Sequence, residues 1–341
     1  MSELFNILKT ESKTGKLPDF VPEKSNPYVF TSQLENAVRV AIYLGKPLLL
    51  TGEAGTGKTR LAFAIAERLG IEEPLVFNTK TTSTAKDLLY SYNHLLHFQH
   101  INSIKDADKK TLEVKDIEDL FIQYHALGKA ILSKKREIVL IDEIDKAPRD
   151  LPNDILDVIE NMEFEVPELR LGEKENETHE INIKKTGDKK NRPLIILTSN
   201  SEKSLPDAFL RRCVFYNIEI NDELTLKILQ EKYTVETFSI DEWTTIIKHF
   251  GKIRNLLQRK KPATAELISW VGLLIETKFP IIKLKLIEDK TIILSETETD
   301  HLKLSYCVLA KNTEDVKKIY SEINHSLYKK PDDKENSDAV N

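Results

Sequence analysis

Short apolar runs alternate with longer stretches of helical spacing through the first two thirds of the chain. Leu48-Leu49-Leu50, Leu75-Val76-Phe77, Ile138-Val139-Leu140-Ile141, Leu194-Ile195-Ile196-Leu197 and Phe215-Tyr216-Asn217-Ile218 each have the length of a strand. The first of these, Pro47 to Thr51, and the run at Ile138 are apolar at almost every position, as strands covered on both faces are. Between them, residues return at the three-to-four spacing of an amphipathic helix. Thr31 or Ser32 can cap a run through Leu34, Ala37, Val38, Ala41, Ile42 and Leu44 that Gly45 ends. A second helix follows Gly57 and runs to about Gly70, and others are predicted over Ala85 to about Ile101 and Ile117 to Ser133. Pro148 stands where a further helix can begin, continued by Leu151, Ile155, Leu156, Val158 and Ile159. Strands alternating with helices predict an α/β fold, a parallel sheet with helices on both faces. Phe164-Glu165-Val166 and Ile181-Asn182-Ile183 alternate instead, and predict a β-hairpin with a long charged tip.

From Asp222 the pattern turns to helices alone, through Leu226 and Leu229, Trp243, Ile246 and Ile247, then Ala265 to Ile275. Residues 280–297 allow a short hairpin or a helix edge, and a last helix covers about Thr313 to Leu327. The expected organisation is an N-terminal arm (1–27), a core (28–221), a small helical lid (222–279), a C-terminal extension (280–330) and a disordered tail (331–341).

Composition narrows the class without naming a chemistry. The 341 residues suffice for two domains, and a net charge of -5 gives no general nucleic-acid footprint. The two cysteines, Cys213 and Cys307, lack CxxC spacing, which speaks against a disulfide framework or a zinc site. No basic leader pattern opens the chain and no apolar stretch approaches a membrane span. A cytoplasmic location is the default expectation.

The chemistry concentrates where strands end. Gly52-Glu53-Ala54-Gly55-Thr56-Gly57-Lys58-Thr59 fits G-x-x-x-x-G-K-[ST] between the first strand and a helix, with Arg60 next in line. Glycines let such a loop turn its N–H groups toward one anion, and the following helix adds its positive end. Lys58 is expected to reach β- and γ-phosphates, and the Thr59 hydroxyl to ligate Mg²⁺. Asp142 and Glu143 end the apolar strand on the same sheet edge. Asp142 is expected to contact Mg²⁺ or its waters, and Glu143 to act on an attacking water. Asn200 ends another buried strand, where its amide can address a γ-phosphate or that water. Arg211-Arg212 reads either as a surface ion pair or as an arginine finger offered across a subunit interface. No [NT]KxD motif occurs, which favours ATP over GTP.

Other features read as scaffold. His94, His97 and His100 recur every third residue, but i to i+6 is too wide a rotation for three ligands on one straight helix. They are expected to be partly exposed histidines. The tracts Lys105 to Lys115 and Glu173 to Lys190 mix both signs and read as solvated loops.

With these residues in place, positions 28–275 resemble an AAA+ ATPase, and within that class the MoxR-like branch. GEAGTGKT at 52–59 is similar to Walker A. Ile138 to Ala147, followed by Pro148, Asn153, Leu156 and Glu160, resembles the Walker B pattern DEIDKAP…N.LL..ME. Thr198-Ser199-Asn200 is similar to sensor 1, and Leu210-Arg211-Arg212-Cys213 to the arginine-finger segment, Arg212 matching better than Arg211. The hairpin near 164–185 stands where the family carries a pre-sensor insertion. Thr84 to Tyr90 resembles relatives encoded near von Willebrand factor A-domain proteins. Lys261 to Leu267 lacks the arginine that sensor 2 would supply; Arg254 and Arg259 are the nearby candidates.

The resemblance implies a P-loop three-layer αβα core with a C-terminal helical lid. It also implies ATP and Mg²⁺ as cofactors, a homo-oligomeric ring (a hexamer by analogy) and a client protein, with a von Willebrand factor A-domain protein as one possible partner. Two other readings stay open: a slow nucleotide switch in signalling or defence, and a nucleic-acid-stimulated motor.

Overall fold

A computed structural model describes residues 28–103, 114–172, 182–184, 191–200, 203–233, 237–257, 260–288 and 294–327. The predicted arm, the tail expected at 331–341 and the two charged loops fall largely or wholly outside them. The described residues fall into two compact units, Phe30–Glu219 and one that begins at Ile220.

The first unit opens with α1 (Ser32–Leu44), where the Thr31 hydroxyl accepts the Leu34 N–H at 3.2 Å and Gly45, at φ +62°, ends the helix. There follow β1 (Leu48–Thr51), α2 (Lys58–Leu69), β2 (Leu75–Asn78), α3 (Ala85–Leu89), β3 (Tyr90–Tyr92), α4 (His94–Ser103), α5 (Val114–Phe121), β4 (Ile122–Tyr124), α6 (Ala126–Leu132) and β5 (Ile138–Asp142). Then come α7 (Leu151–Asp154), α8 (Leu156–Asn161), β6 (Glu163–Glu165), β7 (Asn182–Lys184), β8 (Leu194–Ser199), α9 (Asp207–Leu210) and β9 (Val214–Asn217). Five strands make one parallel sheet in the order β2-β5-β8-β1-β9.

Side-chain alternation splits the sheet's two faces. Leu49, Val139, Ile141, Ile195 and Leu197 belong to one apolar cluster with residues of α3, α6, α7 and α8. Leu48, Leu50, Ile138, Leu140, Leu194 and Ile196, one position out of phase, are as thoroughly buried and face the other way. The predicted α/β class with helices on both faces is what forms.

Three local expectations give way to tertiary structure. The predicted helix over Ala85 to Ile101 is interrupted at β3, and that over Ile117 to Ser133 at β4, because Tyr90–Tyr92 pairs antiparallel with Ile122–Tyr124. The aromatic and β-branched residues here prefer a pleated surface, and a partner strand outweighs weak helix propensity. The pairing is buttressed by α3 and α6. His125 donates its N–H to the Leu89 carbonyl at 2.9 Å, and a Cβ on Gly128 would fall 2.0 Å from that same oxygen. The third is the helix at Pro148, which starts only at Leu151 and breaks at Ile155. Pro148 holds Ala147 extended, at ψ 161°, which separates this helix from the short 3₁₀ turn at Ile144–Lys146. The hairpin expectation holds for its bases: β6 and β7 pair antiparallel.

The second unit is all helical where described: α10 (Asp222–Tyr233), α11 (Ile240–Leu256), α12 (Thr264–Glu276), α13 (Ile282–Glu288), α14 (Glu296–Ser305) and α15 (Thr313–Leu327). Of the two options at 280–297, a helix forms over 282–288, with Ile281, Leu284 and Ile287 buried at helical spacing. One apolar cluster extends from Leu229 to Ile319 around the fully buried Trp243, Trp270 and Tyr306. Two polar pairs are matched inside it, while the Trp243 indole N–H has no hydrogen-bond partner among the described residues. Trp270 Nε1 donates to Ser305 Oγ at 2.9 Å, and His249 Nε2 meets the Tyr306 hydroxyl at 2.5 Å.

Candidate functional site

Strand β1 delivers the chain to the sheet's C-terminal edge, and Gly52 turns it there at φ +145°. A Cβ at this position would lie 2.9 Å from the Ile218 carbonyl oxygen, so the loop passes where only glycine fits. Thr56 closes the loop internally through its hydroxyl to the Glu53 carbonyl at 2.9 Å, and Gly57, at φ +87°, leads into α2. Glu53, Ala54 and Gly55 are exposed, as are Thr59 and Arg60 in the first turn of α2. The N–H groups of that turn and the positive end of a 12-residue helix therefore face outward above the loop.

Lys58 folds back over this loop. Its ammonium donates to the Gly52 and Glu53 carbonyls, each at 2.8 Å, and the side chain is buried. Burial pulls its pKa below the ordinary lysine range, while Asp145, Asp142, Glu143 and Glu53 pull the other way. A positive charge is thus held by neutral dipoles at the loop's centre, with carboxylates nearby.

Alternation along β5 and β8 explains the next layer. The phase that sends Leu140 and Ile196 to one face sends Asp142 and Thr198 to the same face, where α2 begins. Thr59 Oγ1 donates to both Asp142 oxygens, at 2.9 and 3.1 Å. Thr198 Oγ1 donates to Asp142 Oδ1 at 2.6 Å and accepts the Glu143 N–H at 2.8 Å. Glu143 has left-handed backbone, φ 55°, a conformation that costs a non-glycine residue about 1–3 kcal/mol and is common where function fixes a side chain. Its carboxylate takes a bond from Asn200 Nδ2 at 3.2 Å and pairs with Lys146 at 2.5 Å. The Asn200 N–H in turn donates to buried Asp145 at 3.2 Å.

Residues from two strand ends and the start of α2 thus form one bonded network, Thr59, Asp142, Thr198, Glu143 and Asn200, and Lys58 is bonded to the loop carbonyls beside it. Thr198 lies in the segment similar to sensor 1, and Asp145 and Lys146 in the Walker B-like run, but the sequence pattern assigns none of the three a role of its own. Thr198 is the one it could have flagged, since it stands two residues before Asn200 on a fully buried strand.

The hydroxyl of Thr59 and the carboxylate of Asp142 are hard oxygen donors within one hydrogen bond of each other, and they fit a magnesium ion held mainly by substrate phosphates and water. Among the described residues no group of three or more His, Cys, Asp or Glu is placed to hold a metal, so a cage made of such side chains is not what this site offers. His97 instead bonds the Tyr92 hydroxyl through Nδ1 and packs on Phe121 with ring centroids 4.5 Å apart, and His94 is exposed.

The arginines lie elsewhere. Parallel register pairs Val214 of β9 with Leu48 of β1, so the residues just before β9 sit at the sheet's N-terminal edge. Arg211 ends α9 and is exposed. Arg212 Nε donates to Glu160 Oε1 at 2.5 Å, and Nη1 to the Ala208 carbonyl at 3.2 Å. The phosphate loop starts at the other end of β1, about 13 Å away along the strand.

Comparison with known proteins agrees with the loop. Residues 47–213 match the sequence model described as AAA domain (dynein-related subfamily). A comparison with curated proteins found no match. Among solved structures, the chain is similar to a "putative ATPase" from Cytophaga hutchinsonii, at 15% identity and TM-score 0.37, over 86% of this chain and 82% of that one. It is also similar to a DNA replication initiation factor, at 14% identity and TM-score 0.42, over 93% and 90%. Among the described residues no helix is long and apolar enough to cross a membrane. Residues 47–213 thus match an AAA domain, and the glycine-rich loop between β1 and α2 lies within that match.

Proposed function

We propose that this chain binds ATP with Mg²⁺ and hydrolyses it at the C-terminal edge of the sheet, in an oligomer whose neighbouring copy completes each site. The observation that carries the reading is the bonded network Thr59–Asp142–Thr198–Glu143–Asn200 beside the buried ammonium of Lys58.

In this reading the loop N–H groups and Lys58 bind and orient the phosphates. Thr59 and Asp142 hold Mg²⁺, which when bound neutralises charge on the β- and γ-phosphates. Glu143 orients a water and takes its proton as the water oxygen bonds to the γ-phosphorus and the bond to the β–γ bridging oxygen breaks, leaving ADP and phosphate. Asn200 holds Glu143 and the water in line. Arg212, the better match, or Arg211 serves the neighbour's γ-phosphate, because within its own chain it stands at the opposite sheet edge.

The Walker B pattern from Ile138 to Glu160 and the paired hairpin bases at β6 and β7 support placing the chain in the MoxR-like branch. On that reading the assembly is a ring, a hexamer by analogy, that remodels or matures a client protein in the cytoplasm. A von Willebrand factor A-domain protein is the partner that the resemblance of Thr84 to Tyr90 implies by analogy. The free thiols Cys213 and Cys307 suit a reducing compartment.

A slow switch is the second reading, and the Lys146–Glu143 ion pair favours it, since a carboxylate engaged by an ammonium must be released before it can take a proton. Mass photometry of wild type and Glu143→Gln, with and without ATP·Mg²⁺, joined to phosphate release, tests both. Glu143→Gln should bind ATP, assemble with it and lose turnover roughly 10²- to 10⁴-fold. Wild-type turnover in that variant removes Glu143 from its role, and a monomer under every condition removes the shared site.

A further inference from the structure

The Arg212 contact is more than an ordinary surface pair. Glu160 and Arg212 are both about half exposed, at 46% and 42% of side-chain area, so their ion pair adds little to stability. Yet Glu160 is held from behind. Arg192 donates through Nη2 to the Ile159 carbonyl at 2.7 Å and the Glu160 carbonyl at 3.1 Å, at the end of α8 where helix carbonyls lack internal partners. Arg192 itself lies against the turn before β1: a Cβ on Gly45 would sit 2.9 Å from its Cδ. The chain of contacts runs from that turn through Arg192 to the Glu160 backbone, and from the Glu160 carboxylate to Arg212.

Among the described residues the guanidinium is gripped on two sides. Glu160 takes Nε–H and the Ala208 carbonyl takes one Nη1–H, two of the five donors an arginine carries. The fork is oriented while donors remain for a ligand outside the chain.

We propose that Glu160 is the positioning residue for Arg212: it fixes the plane of the guanidinium so that its remaining donors meet a phosphate held by a neighbouring copy. This rests on reading Arg212 as the finger. It adds a physical connection within one chain. The segment 143–161 runs from the network around Glu143 to Glu160, and the segment 200–212 runs from Asn200 to Arg212. The two are bonded together at both ends, by Asn200 to Glu143 and Asp145, and by Arg212 to Glu160. The two segments thus place a chain's own loop network and the arginine it presents at the ends of shared contacts.

The test is steady-state ATP hydrolysis by the full chain at assembling concentration, with mass photometry on the same samples and a fluorescent ATP analogue for binding. Four variants are compared: Glu160→Ala, Glu160→Gln, Arg212→Ala and the Glu160→Ala/Arg212→Ala double. Glu160→Ala should lower kcat about tenfold, as misplaced catalytic groups do, and leave KM and analogue affinity unchanged. Glu160→Gln keeps an acceptor and should recover part of the loss. The double variant should be no slower than Arg212→Ala alone. Unchanged kcat in Glu160→Ala, or losses that multiply in the double, overturns the positioning role and leaves the finger standing. Wild-type turnover in Arg212→Ala removes the finger, and this inference with it.

Discussion

The two edges of the central sheet are built from the same strands and prepared for opposite tasks. At the C-terminal edge, Lys58, Thr59, Asp142, Glu143, Thr198 and Asn200 are tied to one another and to loop carbonyls, so the groups proposed to meet phosphate, metal and water arrive already placed. At the N-terminal edge, Arg212 is also held, by Glu160 and Ala208, but no group beside it in these contacts resembles a phosphate cradle. The difference teaches that one copy can offer everything for binding and still have its proposed finger on the wrong side of its own sheet. Parallel strands make this separation unavoidable, since the segment that follows β8 must cross back before β9 can start.

The hardest blow to the comparison would come from Lys58→Ala. Loss of the buried ammonium should weaken ATP binding roughly a hundredfold or more, on the scale of removing a preorganised charge-binding donor. Titration calorimetry giving near-native affinity would mean that the C-terminal edge is not where phosphate sits. Next in size, Arg212→Ala should bind ATP as wild type does and lose roughly 10³-fold in turnover once assembled. A loss of affinity in place of turnover would assign this arginine to folding or to its own chain's nucleotide.

A smaller effect is expected from Thr198→Val. Thr198 is 1% exposed, and its loss leaves Asp142 and the Glu143 N–H each short of a partner. Stability should fall by about 1–3 kcal/mol, and half-maximal Mg²⁺ activation should move to higher concentration. An unchanged melting curve with unchanged Mg²⁺ dependence would show that the network is not cooperative. Smallest of all, Cys213 reports on the opposite edge from beside Arg212. Burial pushes its thiol up to about 12, and its Sγ–H points at the Phe209 carbonyl at 3.3 Å, whereas Cys307 is exposed. Iodoacetamide near neutral pH should therefore label Cys307 well before Cys213. Equal rates would mean that the segment holding Arg212 opens freely.

The phosphate loop, the acidic strand end, Asn200 and the five core strands are legible in the chain because each is a local pattern: a fixed spacing, an apolar run, a polar residue where the run stops. What is hidden depends on pairing. Tyr90 and Tyr92 look helical until Tyr124 and Ile122 are set beside them. Thr198 has no visible role until β8 is laid in register with β5. Helix α14 was open to reading, since Ser295 and Glu298 form a capping box, each binding the other's backbone N–H. The separation of Arg212 from the loop follows from strand order, which no local spacing encodes. Glu163 and Lys184, 21 positions apart, likewise belong to strands whose register only the fold reveals.

The close packing of α3 on α6 has a consequence for descent. Any side chain at position 128 would collide with the Leu89 carbonyl, and repair would require both helices and the short ribbon between them to move together. Substitution there should be purged while the neighbouring Lys129 drifts. A glycine in this place, two positions past the start of α6, is thus the one residue that lets the two helices and the ribbon close on each other.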